Sequence, residues 1–146
     1  MRTVTVSRPV EEAFRIFTEE TGAWWPLDTH SRAAAGPAGE GVKAETVVIE
    51  GRGGGRIYEV MSDGTEASWG EVVGWEPPYR VVFSWKPNLR EEPPTEVEVT
   101  FTEHDAGTRV DLVHRGWERL GEAAVEAREE YTQGWPRVLA AFERAQ

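Results

Sequence analysis

Between residues 44 and 117 the chain carries six runs in which apolar and polar residues alternate, and it closes with one long amphipathic stretch from Gly121 to the end. Period 2 in Tyr79, Val81, Phe83 and Trp85, and again in Val97, Val99 and Phe101, sets the large apolar side chains on one face of a strand. A sheet with one apolar face needs a cover. The closing stretch supplies it, because Leu120, Ala124, Tyr131, Trp135, Val138, Leu139 and Phe142 share one side of a 3.6-residue helix. This order predicts an α+β chain in which a curved antiparallel sheet of six to seven strands wraps a long C-terminal α-helix.

At 146 residues the chain is read as one domain, 1–146, able to bury roughly 68–70% of its unfolded surface. The net charge of −10 argues against nucleic acid or an anionic membrane surface as the main partner. No apolar run approaches the ~18 residues of a membrane helix, and residues 1–6 lack a signal-peptide core, so a cytoplasmic location is expected. The absence of cysteine excludes disulfides, thiolate chemistry and all-cysteine metal sites.

Residues 2–6 predict a short first strand, followed by two short helices. In the first, Ser7 offers an N-cap, Val10, Ala13, Phe14 and Phe17 form the apolar stripe, and Gly22 is the expected stop. The second carries Trp24 and Trp25 up to Pro26. Residues 26–43 form a long loop of the kind that often rims a site. Strands are expected at about 44–50, 55–61, 66–76, 79–87, 95–103 and 108–116, punctuated by Gly51 to Gly55, Asp63-Gly64, Pro77-Pro78, Pro93-Pro94 and Asp105 to Gly107. Pairing Phe101 with Val110 puts Val97 opposite His114 and Glu96 opposite Arg115, with His104 to Gly107 as the turn. Pro136 lies inside the last helix, yet the apolar stripe keeps its phase across it, which predicts one helix kinked near Gly134.

Several polar residues stand out. Glu71 shares strand parity with Trp69, Val73 and Trp75 and is expected on the concave apolar face, unless a bulge at Gly70 turns it outward. His114 is inward by the hairpin register. Tyr58 adds a hydroxyl, although parity alone leaves open whether Ile57 or Tyr58 is inside. Trp24, Trp85 and Trp135 are chosen as cavity lining, from a loop, the mid-sheet and the covering helix, and Trp69, Glu71, His114 and Tyr58 complete the seven cavity candidates. His30, beside Asp28 and Ser31, does not make a metal site, and His104 is expected in solvent. Gly51 to Gly55 lacks a following Lys-Ser/Thr and leads into a strand, so it is no phosphate loop. Glu126, Glu129 and Glu130 read as a solvated helix face. No catalytic residue, metal or cofactor is assigned.

Taken in order, Trp24-Trp25-Pro26-Leu27, Gly54 to Glu59, Trp69-Gly70-Glu71-Val72, Trp75-Glu76-Pro77-Pro78, His114-Arg115-Gly116-Trp117 and Gly134-Trp135-Pro136 resemble the bacterial SRPBCC domains. The branch they are most similar to is the one named after activators of the heat-shock-protein-90 ATPase. The resemblance covers essentially the whole chain and implies a helix-grip fold of the START and birch-pollen-allergen type, with a cavity between sheet and terminal helix. It implies no single reaction, since such folds serve as carriers, aromatases and cyclases, and co-chaperones. The leading expectation is a protein that binds an apolar or aromatic small molecule, with Glu71, His114 or Tyr58 as polar anchor. The alternatives are an aromatase/cyclase or small hydrolase using Glu71 and His114, and a co-chaperone module. Co-chaperones of this name carry a further N-terminal domain, whereas the first strand here begins almost at Met1, which ranks that alternative third. The oligomeric state is left open.

Overall fold

The alternating runs become strands of one curled antiparallel sheet shaped as a half-barrel. The computed structural model describes residues 2–27, 29–31, 41–86, 94–118, 121 and 124–145, with the backbone alone for 124–127 and 129–133. Among these residues the strands are β1 (Arg2–Val6), β2 (Ala44–Ile49), β3 (Arg56–Met61), β4 (Glu66–Glu76), β5 (Arg80–Trp85), β6 (Thr95–His104) and β7 (Gly107–Arg115). Their spatial order is β1-β7-β6-β5-β4-β3-β2. The helices are α1 (Val10–Glu19), α2 (Thr21–Trp24) and α3 (Ala124–Arg144). The β6–β7 register is the expected one, with Phe101 opposite Val110, Val97 opposite His114 and Glu96 opposite Arg115.

The covering helix presents Trp135, Val138, Leu139 and Phe142 to the sheet, all buried, and it runs through Pro136 as one helix. Leu120 and the side chains of Ala124, Tyr131, Glu126, Glu129 and Glu130 lie outside the described residues. So do Asp28 and the middle of the 26–43 loop.

Three local expectations need correction. Helix α1 begins at Val10 with Pro9, not Ser7, at the cap position and no side-chain cap bond. The proline ring already sets the φ that the chain needs at this entry. Gly22 does not stop α1, which ends at Glu19; it sits inside α2, where a Cβ would overlap the Thr46 side chain of β2. Tyr79 is exposed rather than inward, because it belongs to the turn after Pro77-Pro78, with its N–H on the Glu76 carbonyl at 2.9 Å.

Strand β4 departs furthest from simple alternation. Opposite β3 the register jumps between Ile57–Gly70 and Tyr58–Ser68, leaving Trp69 as an extra residue. Opposite β5 it jumps again between Val72–Phe83 and Gly74–Val82, leaving Val73 extra. Each bulge reverses the parity of the residues beyond it and bends the strand. The residues turned inward are therefore Trp69, Val72 and Trp75, at a spacing of three, while Glu71 and Val73 face solvent. Gly70 makes the first bulge possible, since any Cβ there would overlap the Ser84 carbonyl oxygen.

Replacing Gly70 with Ala should therefore cost at least about 2 kcal/mol in urea unfolding. Gly53→Ala, whose added methyl meets nothing within 4 Å, should stay within about 0.5 kcal/mol of the parent. Equal effects at the two sites would remove Gly70 from its role.

Candidate functional site

The interior between sheet and α3 divides into two parts. One is wholly apolar: Phe14, Phe17, Phe101, Trp24 and Phe142 meet with ring centroids 5.1 to 5.7 Å apart in tilted and edge-on arrangements. The other is built from four indoles. Trp85 of β5 lies 5.6 Å from Trp69, 5.9 Å from Trp25 and 5.2 Å from Trp135, so that two strands, the end of α2 and the covering helix converge on it. Such pairs contribute about 0.5–1.5 kcal/mol each beyond their area.

A carboxyl and an imidazole are set into this second part. Glu59 of β3 is 0% exposed, and the Trp69 indole N–H donates to its Oε1 at 3.0 Å. His114 of β7 receives the Trp135 Nε1–H on its Nδ1 at 2.9 Å and meets Thr95 Oγ1 through Nε2 at 2.6 Å. An indole nitrogen can only donate, so Nδ1 must carry the lone pair, and the ring proton sits on Nε2, which donates to Thr95. The threonine hydroxyl passes the chain on to the Trp85 carbonyl at 3.2 Å. Desolvation pushes the His114 pKa down from 6.5 to about 3. The imidazole is neutral near pH 7 and ties α3 to the sheet.

Trp85 itself is 5% exposed, and its indole N–H makes no hydrogen bond among the described residues. A buried donor left in this state costs about 1–3 kcal/mol. The other three indoles of the cluster are satisfied: Trp25 donates to the His30 carbonyl at 2.7 Å, and Trp69 and Trp135 donate to Glu59 and His114.

Four of the seven sequence candidates, Trp69, Trp85, His114 and Trp135, come together here. Trp24 does not: its N–H is bound to the Ile16 carbonyl at 2.9 Å and its ring packs in the apolar part. Tyr58 points away from the interior, under the Arg56 guanidinium at 4.2 Å, while Ile57 is inside. Glu71 is exposed, with its backbone N–H on Ser84 Oγ, and so shares no enclosed space with His114. Two members were missed in the sequence. Trp25 was passed over for its neighbour Trp24, and Glu59 is legible in hindsight from its parity with Ile57 and Met61, both buried.

Elsewhere, Arg115 pairs with Glu96 at 3.2 Å and Glu98 at 3.0 Å on the outer face, and Arg80 pairs with Glu98 and Glu76. His104 is exposed beside an open depression at the β6–β7 turn. His30 Nδ1 meets Thr29 Oγ1 at 2.7 Å. Among the described residues no three acidic or histidine side chains converge as a metal set, and no helix is long and apolar enough to cross a membrane.

The sequence pattern of the activator of Hsp90 ATPase homolog 1-like proteins matches residues 7–145. The chain belongs to this family. Solved structures share its fold over nearly the whole length. CalC from Micromonospora echinospora, described as a self-sacrificing resistance protein, is 28% identical with a TM-score of 0.70, over 99% of this chain and 90% of CalC. Txn09, an anthrahydroquino-γ-pyrone synthase solved as a complex, is 27% identical with a TM-score of 0.61, over 99% of this chain and 94% of Txn09. Protein Ms6760 from Mycobacterium smegmatis is 23% identical with a TM-score of 0.63, over 98% of this chain and 86% of its own, and shows the shared fold alone. No curated protein matches this family member significantly.

The depressed His114 pKa fixes a pH dependence. A base whose folded pKa lies below its unfolded value stabilises fully above the unfolded value, and that stability is lost as pH falls from about 6.5 toward 3. Between pH 7.5 and pH 5 the protein should lose on the order of 2 kcal/mol through this residue. His114→Asn, which keeps an acceptor for Trp135, should flatten that interval in urea unfolding. A variant slope as steep as the parent's would place the titration elsewhere.

Proposed function

We propose that this protein binds an apolar or aromatic small molecule between the concave face of the sheet and α3, at the cluster of Trp25, Trp69, Trp85 and Trp135. The observation that carries the reading is that cluster. Four indoles with polar groups set among them give the interior an aromatic wall and directional contacts at one place, whereas the neighbouring part of the core has neither acid nor imidazole. The likeness to Txn09, at 27% identity, supports an aromatic ligand class.

Burying about 300 Å² of apolar ligand surface gains roughly 7 kcal/mol, and association costs at least about 4 kcal/mol. Useful affinity therefore needs a polar contact in addition to stacking. The Trp85 N–H and the carboxyl of Glu59 are the groups for it, in place of Glu71 and Tyr58, while both ring nitrogens of His114 are already engaged by Trp135 and Thr95.

Titration with a panel of flat aromatic compounds and lipids should quench tryptophan fluorescence saturably for at least one flat aromatic member, and Trp135→Ala should weaken that ligand at least tenfold. Absence of saturable quenching by every member would overturn the reading.

A second reading is catalysis on the same guest, favoured by the buried carboxyl of Glu59 in contact with the cluster and by the synthase activity named for Txn09. Glu59 is the acid/base candidate under this reading, since His114 at a pKa of about 3 is a feeble base. Glu59→Gln should then abolish turnover of an aryl β-diketone surrogate while binding changes less than twofold. Binding and turnover lost together would assign Glu59 to structure.

A further inference from the structure

We infer that the indole cluster selects flat ring systems bearing a hydrogen-bond-accepting oxygen, and that the Trp85 Nε1–H is the donor that reads that oxygen. The inference rests on the proposal above that the cluster takes an aromatic guest, and it goes on to name the functional group that the guest must carry.

Three of the four indole donors have fixed protein acceptors: Glu59 Oε1, His114 Nδ1 and the His30 carbonyl. The fourth has none among the described residues, although Trp85 is only 5% exposed and, like Trp25, lies against the other three rings. The sequence had every means to satisfy it. A serine, threonine or carbonyl in reach would suffice, and the Trp85 backbone carbonyl does receive the Thr95 hydroxyl.

An indole N–H cannot accept, so the complementary ligand atom is an acceptor: a ketone, quinone or pyrone carbonyl, or a phenolic or ether oxygen. The walls around it are ring faces and edges, which suit a flat body at centroid separations of about 4.5–7 Å. An otherwise identical molecule without the oxygen is rejected, since it would seal the donor in without a partner.

Fluorene and 9-fluorenone differ by one carbonyl on the same planar frame and make the test. The full chain should bind 9-fluorenone at least tenfold more tightly than fluorene. In protein labelled with [15N]tryptophan, the indole N–H resonance absent from Trp85→Phe should move downfield with 9-fluorenone and not with fluorene. Trp85→Phe should bind the two alike; should it fail to fold, elimination with Trp69→Phe and Trp135→Phe assigns the resonance, and the parent's selectivity still decides. Equal affinities in the parent, or a Trp85 resonance unmoved by 9-fluorenone, would overturn this inference while leaving aromatic binding intact. If neither compound binds, and no member of the wider panel does, aromatic binding falls and this inference with it.

Discussion

Strand β4 is bent twice, and the interior is arranged around those bends. An unbroken alternation would turn Trp69, Glu71, Val73 and Trp75 to the same side, giving a flat strand with a carboxylate in the core. Two bulges replace that set by Trp69, Val72 and Trp75. The bends increase the local twist, which lets the sheet curl around α3 and brings Trp69 against Trp85 and Trp25. Trp75 is delivered to the other part of the core, 5.1 Å from Phe14. One bent strand therefore feeds both halves of the interior.

The two halves differ in what holds them. In the apolar half, Phe17, Phe101 and Phe142 are nearly inaccessible and packing alone fixes their positions. In the indole half, the hydrogen bonds from Trp69 to Glu59 and from Trp135 to His114 fix ring orientation as well as ring position. Packed rings without such bonds settle wherever volume allows, whereas bonded ones hold their planes at defined angles. That distinction makes the indole half the candidate site and the phenylalanine half its foundation.

Much of this was legible in the sequence wherever a single period held. The β6–β7 register followed from Phe101, Val110 and the turn between them, and the covering face of α3 followed from Trp135, Val138, Leu139 and Phe142. Legibility ended where two periods were spliced. Glu71 was left between two placements, inside if parity runs through Gly70 and outside if the glycine marks a bulge, and the second is the one found. Tyr79 was misplaced because a turn residue extended the apparent alternation of β5 by one position. Glu59 was overlooked because parity left open whether Ile57 or Tyr58 is inside, and only the burial of Ile57 and Met61 shows which side is inner. Trp24 and Trp25 could not be separated by pattern at all, since neighbours at a helix end diverge according to where the helix stops.

An open half-barrel keeps two borders, here β1 and β2, and a bare border is a template on which a strand from another molecule can add. β1 is short, five residues with Arg2 at its start, and β2 is irregular between Ala44 and Thr46, where α2 crosses it at Gly22. Close passage of a helix and a misfit in the ladder leave little straight edge for a second chain to copy. The same glycine that lets α2 lie flat on β2 thus helps the sheet stay curled and unclosed without seeding fibrous growth.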